Sequence, residues 1–158
     1  MARAPRSKAV EDLLSGALSA ANRIGRLAVL SGKRVLLVED LPPEHKRIKA
    51  MLVAIGGDGM DLSTARTSSA ALDICLDQAG RFDLVLLNFR LGQRDNGLEL
   101  LGDLRRAGLP VFARSVLYSV AMNRQLAQRA RVAGFDAMLH VDEMDSLSLT
   151  DLLTELMH

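Results

Sequence analysis

Polar side chains end three apolar runs of the sequence, and their types could bind a cation or form a hydrogen-bonded site. Glu39 and Asp40 follow the run 34–38. Asn88 ends a second run, and Ser119 ends a third. Adjacent carboxylates suit a hard cation such as Mg²⁺, while amide and hydroxyl groups donate and accept hydrogen bonds. Because parallel strands bring their carboxyl ends to one edge of a sheet, we expect these side chains to line one crevice.

The elements that must position this crevice alternate along residues 33–158. Short apolar runs are separated by amphipathic stretches of about 10–15 residues, which is typical of βαβ units around a parallel sheet. The run from Phe82 to Asn88 is apolar on both faces and is predicted to be central in the sheet. We expect an α/β domain of five strands and five helices. The predicted strands are 34–38, 60–65, 82–88, 110–119 and 136–141, and the predicted helices begin at Pro42, Thr67 or Ser68, Gly97, residue 121 and Leu147.

Each predicted helix carries apolar side chains at spacings of three and four, which indicates one buried face. The predicted fourth strand differs, because it contains Arg114, whose charge fits poorly in a buried strand. The predicted buried faces include Ile48, Met51, Leu52 and Ile55; Leu72, Cys75 and Leu76; Leu98, Leu101 and Leu104; and Leu147, Leu149, Leu152, Leu153 and Leu156.

Four segments occur in the order of a known family and with nearly its spacing. They are Val35–Asp40, Phe82–Asn88, Gly97–Leu101 and Ala133–Leu139. On these segments, residues 33–158 resemble the receiver domains of two-component response regulators. The resemblance implies a flavodoxin-like, doubly wound sheet of five parallel strands, which agrees with the element count.

The resemblance also implies roles at the crevice. In receivers, an acidic pair holds magnesium, an aspartate after the third strand accepts a phosphoryl group, and a lysine follows the fifth strand. Here the acidic pair is Glu39 and Asp40, while Asn88 and Val141 hold the phosphoacceptor and lysine positions. A neutral amide cannot form an acyl phosphate, and valine supplies no cation. We therefore expect a degenerate pocket, no enzymatic activity, no cofactor, and at most weak Mg²⁺ binding at Glu39 and Asp40.

Two further family positions are assigned by the resemblance. The hydroxyl position is Ser119 when counted back from Gly134 and Ser115 when counted from Pro110, and both alternatives stay open. The aromatic position that accompanies the switch in receivers holds Met138.

Residues 1–32 fall outside the alternation and are predicted to form a basic, amphipathic helix ahead of the domain at 33–158. Apolar residues recur there at spacings of three and four, and Leu14, Leu18 and Ile24 are candidate partner contacts. Because an amphipathic helix must bury its stripe, this helix either packs on its own domain or forms a homodimer or partner surface.

A second candidate partner surface is the predicted helix at 121–132, where Arg124 and Arg129 give a basic edge. A basic edge is usually only a solvated face. In receivers, however, this helix and the two elements after it contact partners. The expected partner is a signalling protein such as a histidine kinase or another regulator.

The composition excludes several other classes of protein. The 20 basic and 19 acidic side chains nearly cancel, which argues against binding to nucleic acid. No run approaches the roughly 20 apolar residues of a membrane span. Cys75 is the only cysteine, so the chain has no internal disulfide. A soluble cytoplasmic protein is expected.

The sequence thus predicts a stand-alone, phosphorylation-independent pseudo-receiver that regulates signalling through protein–protein interaction, with no output domain. The alternative is a sensor that binds a small ligand or nucleotide in the strand-end crevice. A well-formed pocket with an apolar wall around Glu39, Asn88 and Ser119 would favour the sensor. A shallow, filled crevice would favour the interaction module.

Overall fold

The computed structural model describes residues 30–57, 59–77, 81–107 and 112–157. Its centre is one parallel sheet with the strand order β2-β1-β3-β4-β5. The order reverses between β1 and β3, so the carboxyl ends of these strands border the crevice where doubly wound domains bind ligands. The strands are β1 (Arg34–Val38), β2 (Asp61–Ala65), β3 (Phe82–Asn88), β4 (Phe112–Ser119) and β5 (Ala137–His140).

Helices cover both faces of the sheet, which confirms the predicted flavodoxin-like α/β class. Two of them, α1 and α5, pack on one face with the side chains of Val35 and Leu37. The other three pack on the opposite face with Leu36 and Val38. None of the helices in the described ranges combines the length and apolar composition of a membrane span. The helices are α1 (Pro42–Gly56), α2 (Ser68–Asp77), α3 (Gly97–Arg106), α4 (Arg124–Ala133) and α5 (Ser146–Leu156).

The predicted central strand is confirmed. β3 pairs with β1 on one side and β4 on the other. Its side chains from Leu84 to Leu87 are fully buried on both faces. At about 25 cal/mol per Å² of apolar surface, burial of these aliphatic side chains holds β3 in place. Its last residue, Asn88, is therefore held firmly at the sheet edge.

Two predicted boundaries were wrong at the ends of elements. The predicted fifth strand ends at His140, because Val141 opens a 3-10 turn in which the His140 imidazole accepts the Asp142 backbone N–H. The predicted helix at 121–132 begins at Arg124. The Asn123 side chain ends the preceding loop by accepting the backbone N–H three residues later, as an N-cap residue does.

Two predicted buried side chains were also wrong. Leu76 and Leu147 are 58% and 57% exposed. In α2 the buried face is formed by Ala71 and Cys75, four residues apart, and Leu76 is rotated away from it. Leu147 similarly lies off the buried stripe of α5.

Arg114 is satisfied by the end of a helix. Its Nε donates to the backbone oxygen of Leu156 at 3.0 Å, and its guanidinium also donates to the oxygen of Ala113 at 3.0 Å. A helix leaves its last carbonyl groups without intrahelical partners and carries negative partial charge there. The charge inside β4 therefore stabilises the end of α5.

Candidate functional site

A cavity of about 250 Å³, here called the cleft cavity, lies at the carboxyl ends of β1, β3 and β4. The strand register accounts for its position, because Val38 pairs with Leu87 and Asn88 pairs with Tyr118. The predicted crevice residues Glu39, Asp40, Asn88 and Ser119 all line it. The other lining residues are Leu41, Glu44, Arg90, Gly92, Tyr118, Val120 and Val141.

Asn88 is a hydrogen-bond donor to the buried acid of this cavity. Its Nδ2 donates to Oε2 of Glu39 at 2.5 Å, and the backbone N–H of Asp40 donates to the same oxygen at 3.0 Å. Glu39 is only 1% exposed. Burial raises the pKa of Glu39 to about 7, and the Asn88 donor partly opposes this rise. The carboxyl is thus close to half-ionised at neutral pH, because its amide neighbour is neutral.

Asp40 has one satisfied and one unsatisfied oxygen. The backbone N–H of Gly92 donates to its Oδ2 at 2.9 Å. Its Oδ1 is shielded from solvent and has no hydrogen-bond partner in the part of the chain that the structure describes. A buried acceptor without a partner loses its hydration without compensation, so this oxygen is suited to accept from a bound group.

Tyr118 also lines the cleft cavity, and the sequence analysis missed it. Its side chain is fully buried, and its hydroxyl has no hydrogen-bond partner within residues 30–157 as described. Burial and the neighbouring carboxyl of Glu39, followed by those of Glu44 and Asp40, raise the pKa of the Tyr118 phenol well above its ordinary value. The hydroxyl therefore points toward the acidic side of the cavity. Its pairing with Asn88 could have identified it only once the strand register was known.

The two candidate serines lie in different places. Ser119 is at the end of β4, lines the cleft cavity, and accepts the backbone N–H of Ala121 through Oγ at 3.0 Å. Ser115 lies four residues earlier, where its backbone N–H donates to Oδ2 of Asp136 at 2.8 Å and its Oγ lies 3.4 Å from the same oxygen. Ser119 is therefore the hydroxyl that the fold brings to Asn88.

Val141 and Met138 differ in their relation to the cavity. Val141 is 9% exposed and adds aliphatic surface to the cavity wall. Met138 packs against the core on the face of α2, α3 and α4. The wall near Val141 is extended by Leu41 and Val120, which are 55% and 65% exposed at the rim.

Gly97 brings α3 close to the end of β3. A Cβ at this residue would lie 2.6 Å from the backbone oxygen of Asn88 and 2.9 Å from Cδ1 of Leu117. The backbone N–H of Gly97 donates to the oxygen of Phe89 at 2.8 Å. A side chain at residue 97 would therefore displace the strand end that carries Asn88.

The candidate partner residues are only partly within the described ranges. Leu14, Leu18 and Ile24 lie outside the described residues. Arg124 and Arg129 are exposed on α4. The guanidinium of Arg129 lies 5.8 Å from the ring centroid of Phe89, a cation–π distance. Since Phe89 follows Asn88, this contact joins α4 to the strand end at the cleft.

The cleft residues fit a magnesium ion poorly. Mg²⁺ prefers oxygen ligands in octahedral geometry, but Asn88 presents its amide nitrogen to Glu39. Only Glu39 and Asp40 offer carboxyls at the acidic pair, and Glu39 is near half-protonated at pH 7. No three His, Cys, Asp or Glu side chains within the described residues are grouped so that they could hold a metal ion.

A second, more open cavity of about 670 Å³, here called the outer cavity, shares Asp40 and Gly92 with the cleft cavity. Its lining differs in charge, because it contains Arg66 and Arg94. The positive charge at this edge of the sheet therefore lies mainly outside the cleft cavity.

Comparisons with known proteins place the fold among receiver domains. The chemotaxis protein CheY4 of Vibrio cholerae matches with a TM-score of 0.66 and 18% identity, over 78% of this chain and 98% of that one. A CheY-like receiver domain protein from Methanospirillum hungatei matches with a TM-score of 0.64 and 20% identity, over 78% of this chain and 91% of that one. The receiver domain of the response regulator NarL from Mycobacterium tuberculosis matches with a TM-score of 0.64 and 18% identity, over 79% and 95%. No family model and no curated protein matches the chain. At these identities the likeness shows the receiver fold.

Proposed function

We propose that this protein is a pseudo-receiver: a regulator of signalling that works through protein–protein interaction and without phosphorylation of its cleft. The observation that carries the proposal is the hydrogen bond from Asn88 to Glu39. It places a neutral donor at the strand end where a receiver needs a nucleophilic carboxylate, and an amide does not form an acyl phosphate.

The wall opposite Asn88 supports the same proposal. Phosphoryl transfer depends mainly on positive groups that stabilise the charge of the transferred group. Val141 contributes only aliphatic surface to the cleft cavity. Glu39 and Asp40 would hold magnesium weakly, because one carboxylate fewer reduces the attraction for a hard cation. In this proposal the cleft has no catalytic role.

The interaction surface that we propose includes α4. Arg124 and Arg129 are exposed there, and Val132 is 80% exposed beside them. Exposed arginine next to apolar surface is typical of protein interfaces. The proposed partner is a signalling protein such as a histidine kinase or another regulator. A homodimer through residues 1–32 is a separate part of this proposal.

Phosphorylation of the purified chain tests the proposal directly. The protein is incubated with acetyl phosphate and Mg²⁺, and its mass is then measured before and after hydroxylamine treatment. We expect no hydroxylamine-labile gain of a phosphate. The matched controls are Asn88→Asp and the double variant Asn88→Asp with Val141→Lys.

The controls separate the two missing groups. We expect little adduct with Asn88→Asp alone, because Val141 still supplies no cation, and more with the double variant. A hydroxylamine-labile phosphate on the unaltered chain would overturn phosphorylation independence. Equal labelling of both variants would show that Val141 is irrelevant to this chemistry.

A second candidate function is a sensor of a small ligand. It is favoured by the enclosed form of the cleft cavity, which has an apolar wall and an unpartnered Tyr118 hydroxyl. At about 250 Å³ the cavity is below the range of about 300–1,000 Å³ that is usual for drug-sized ligands. This volume disfavours a nucleotide and favours a ligand of a few heavy atoms.

A further inference from the structure

The cleft cavity has an acidic, hydrogen-bond-accepting side. Glu39, Asp40 and Glu44 line it, and Arg90 is the only cation among the described lining residues. The Glu44 carboxyl is already paired with Arg47 at 2.9 Å. Excess negative charge in a partly enclosed space favours a positively charged occupant, because the low local polarizability strengthens the attraction.

Two polar oxygens of this cavity are left without partners. Oδ1 of Asp40 and the hydroxyl of Tyr118 are both shielded from solvent and unbonded within the described chain. Tyr118 is fully buried, so no rearrangement of its ring within the cavity wall is needed to reach solvent groups. Buried polar groups in native structures are nearly always satisfied, so an unpaired pair in one cavity indicates a missing donor.

The opposite side of the cavity is apolar. Leu41 and Val120 form an exposed rim, and Val141 lies on the inner wall. Large exposed apolar side chains at the mouth of a cavity are suited to contact the hydrocarbon part of a ligand. An inorganic ion would leave this surface unused.

We propose that the cleft cavity binds a small organic ammonium ion with a short apolar tail. An ammonium group has three N–H donors and no acceptor. Its donors match the Glu39 carboxyl, Oδ1 of Asp40 and the Tyr118 hydroxyl, and its tail contacts Leu41 and Val120. This inference defines the ligand class for the sensor function and does not depend on the pseudo-receiver proposal.

The binding test uses n-butylammonium chloride as the probe. The ¹⁵N-labelled full chain is titrated at pH 8 with EDTA and constant ionic strength, and the amide chemical shifts are followed. n-Butanol and sodium butyrate are the matched neutral and anionic compounds. We expect saturable shifts at the amides of Asp40, Leu41 and Val120 with butylammonium, at a Kd in the millimolar range that suits so small a ligand. The other two compounds should not saturate in this range.

Variants identify the acceptors. Glu39→Gln should weaken binding of butylammonium by about 10-fold or more, because a charged hydrogen bond is lost. Tyr118→Phe keeps the ring and should weaken binding by about 3- to 10-fold. The control is Glu155→Gln, an exposed carboxyl on α5, which should leave the Kd unchanged.

Three results would overturn the ammonium assignment. Binding of n-butanol as tight as that of butylammonium would show that the cavity selects apolar tails without charge. Unchanged affinity in both Glu39→Gln and Tyr118→Phe would place the ligand elsewhere. A separate titration with MgCl₂ and no EDTA completes the test, because a Mg²⁺ affinity that excludes butylammonium would identify a metal site.

Discussion

The buried carboxyl of Glu39 makes a quantitative prediction for stability. Burial raises its pKa from 4.5 to about 7. Below pH 4.5 the carboxyl is protonated in both the folded and unfolded chain, so its favourable contribution is fully present. As the pH rises through 7, the folded chain must bury a charge that the unfolded chain keeps in water. Between pH 5 and pH 8 the protein should therefore lose about 2–3 kcal/mol of unfolding free energy at this residue.

The substitution Glu39→Gln removes this ionisation and keeps a similar shape. Its carboxamide oxygen can still accept from Asn88 and from the backbone N–H of Asp40. We expect the stability of the variant, relative to the unaltered chain, to increase by about 2–3 kcal/mol from pH 5 to pH 8. With a urea m-value of about 2 kcal/mol/M, that difference moves the unfolding midpoint by about 1–1.5 M.

Urea unfolding at half-unit steps of pH, followed by circular dichroism with EDTA present, measures this difference. Glu155→Gln is the control, and its difference from the unaltered chain should stay within about 0.5 kcal/mol at every pH because the side chain is exposed. A Glu39→Gln difference that is constant from pH 5 to pH 8 would refute the reasoning. So would a titration midpoint of the Glu39 carboxyl below pH 5 in a ¹³C NMR experiment.

Two further predictions concern packing and association. Gly97→Ala should destabilise the protein by about 1–3 kcal/mol in urea unfolding, because a Cβ there meets the Asn88 oxygen at 2.6 Å. The control Gly102→Ala, in the same helix and with its nearest contact at 3.5 Å, should stabilise it by about 0.5–1 kcal/mol; equal effects of the two would contradict the close approach. Light scattering of the chain with and without residues 1–32 should show a dimer only when they are present, and an unchanged mass would remove their proposed role.

Much of the fold could be predicted because local pattern and global packing agree. β1 is apolar at every residue from Val35 to Val38, and all four side chains are buried. β3 was placed at the centre for the same reason. The errors occurred where a single hydrogen bond decides a boundary. The Asn123 cap starts α4 later than its periodicity indicates, and a cap of this kind is visible only from backbone geometry.

The polar residues of the cleft were predictable, but their interactions were not. Strand ends placed Glu39, Asn88 and Ser119 together, since the carboxyl ends of parallel strands share one edge. Tyr118 was missed because an alternating strand gives no sign of which buried tyrosine lacks a partner. The contact between Asp40 and Gly92 depends on loop conformation, which no spacing in the sequence specifies.

The stacking of Arg129 on Phe89 has a thermodynamic consequence for the whole domain. A partner that draws the guanidinium away from the ring changes the packing beside Asn88. Coupling between two binding sites is reciprocal, so an occupant of the cleft that shifts Phe89 would alter the affinity for that partner by the same factor. A domain without a phosphoryl group thus keeps a route by which its inner cavity and its outer helix can exchange free energy.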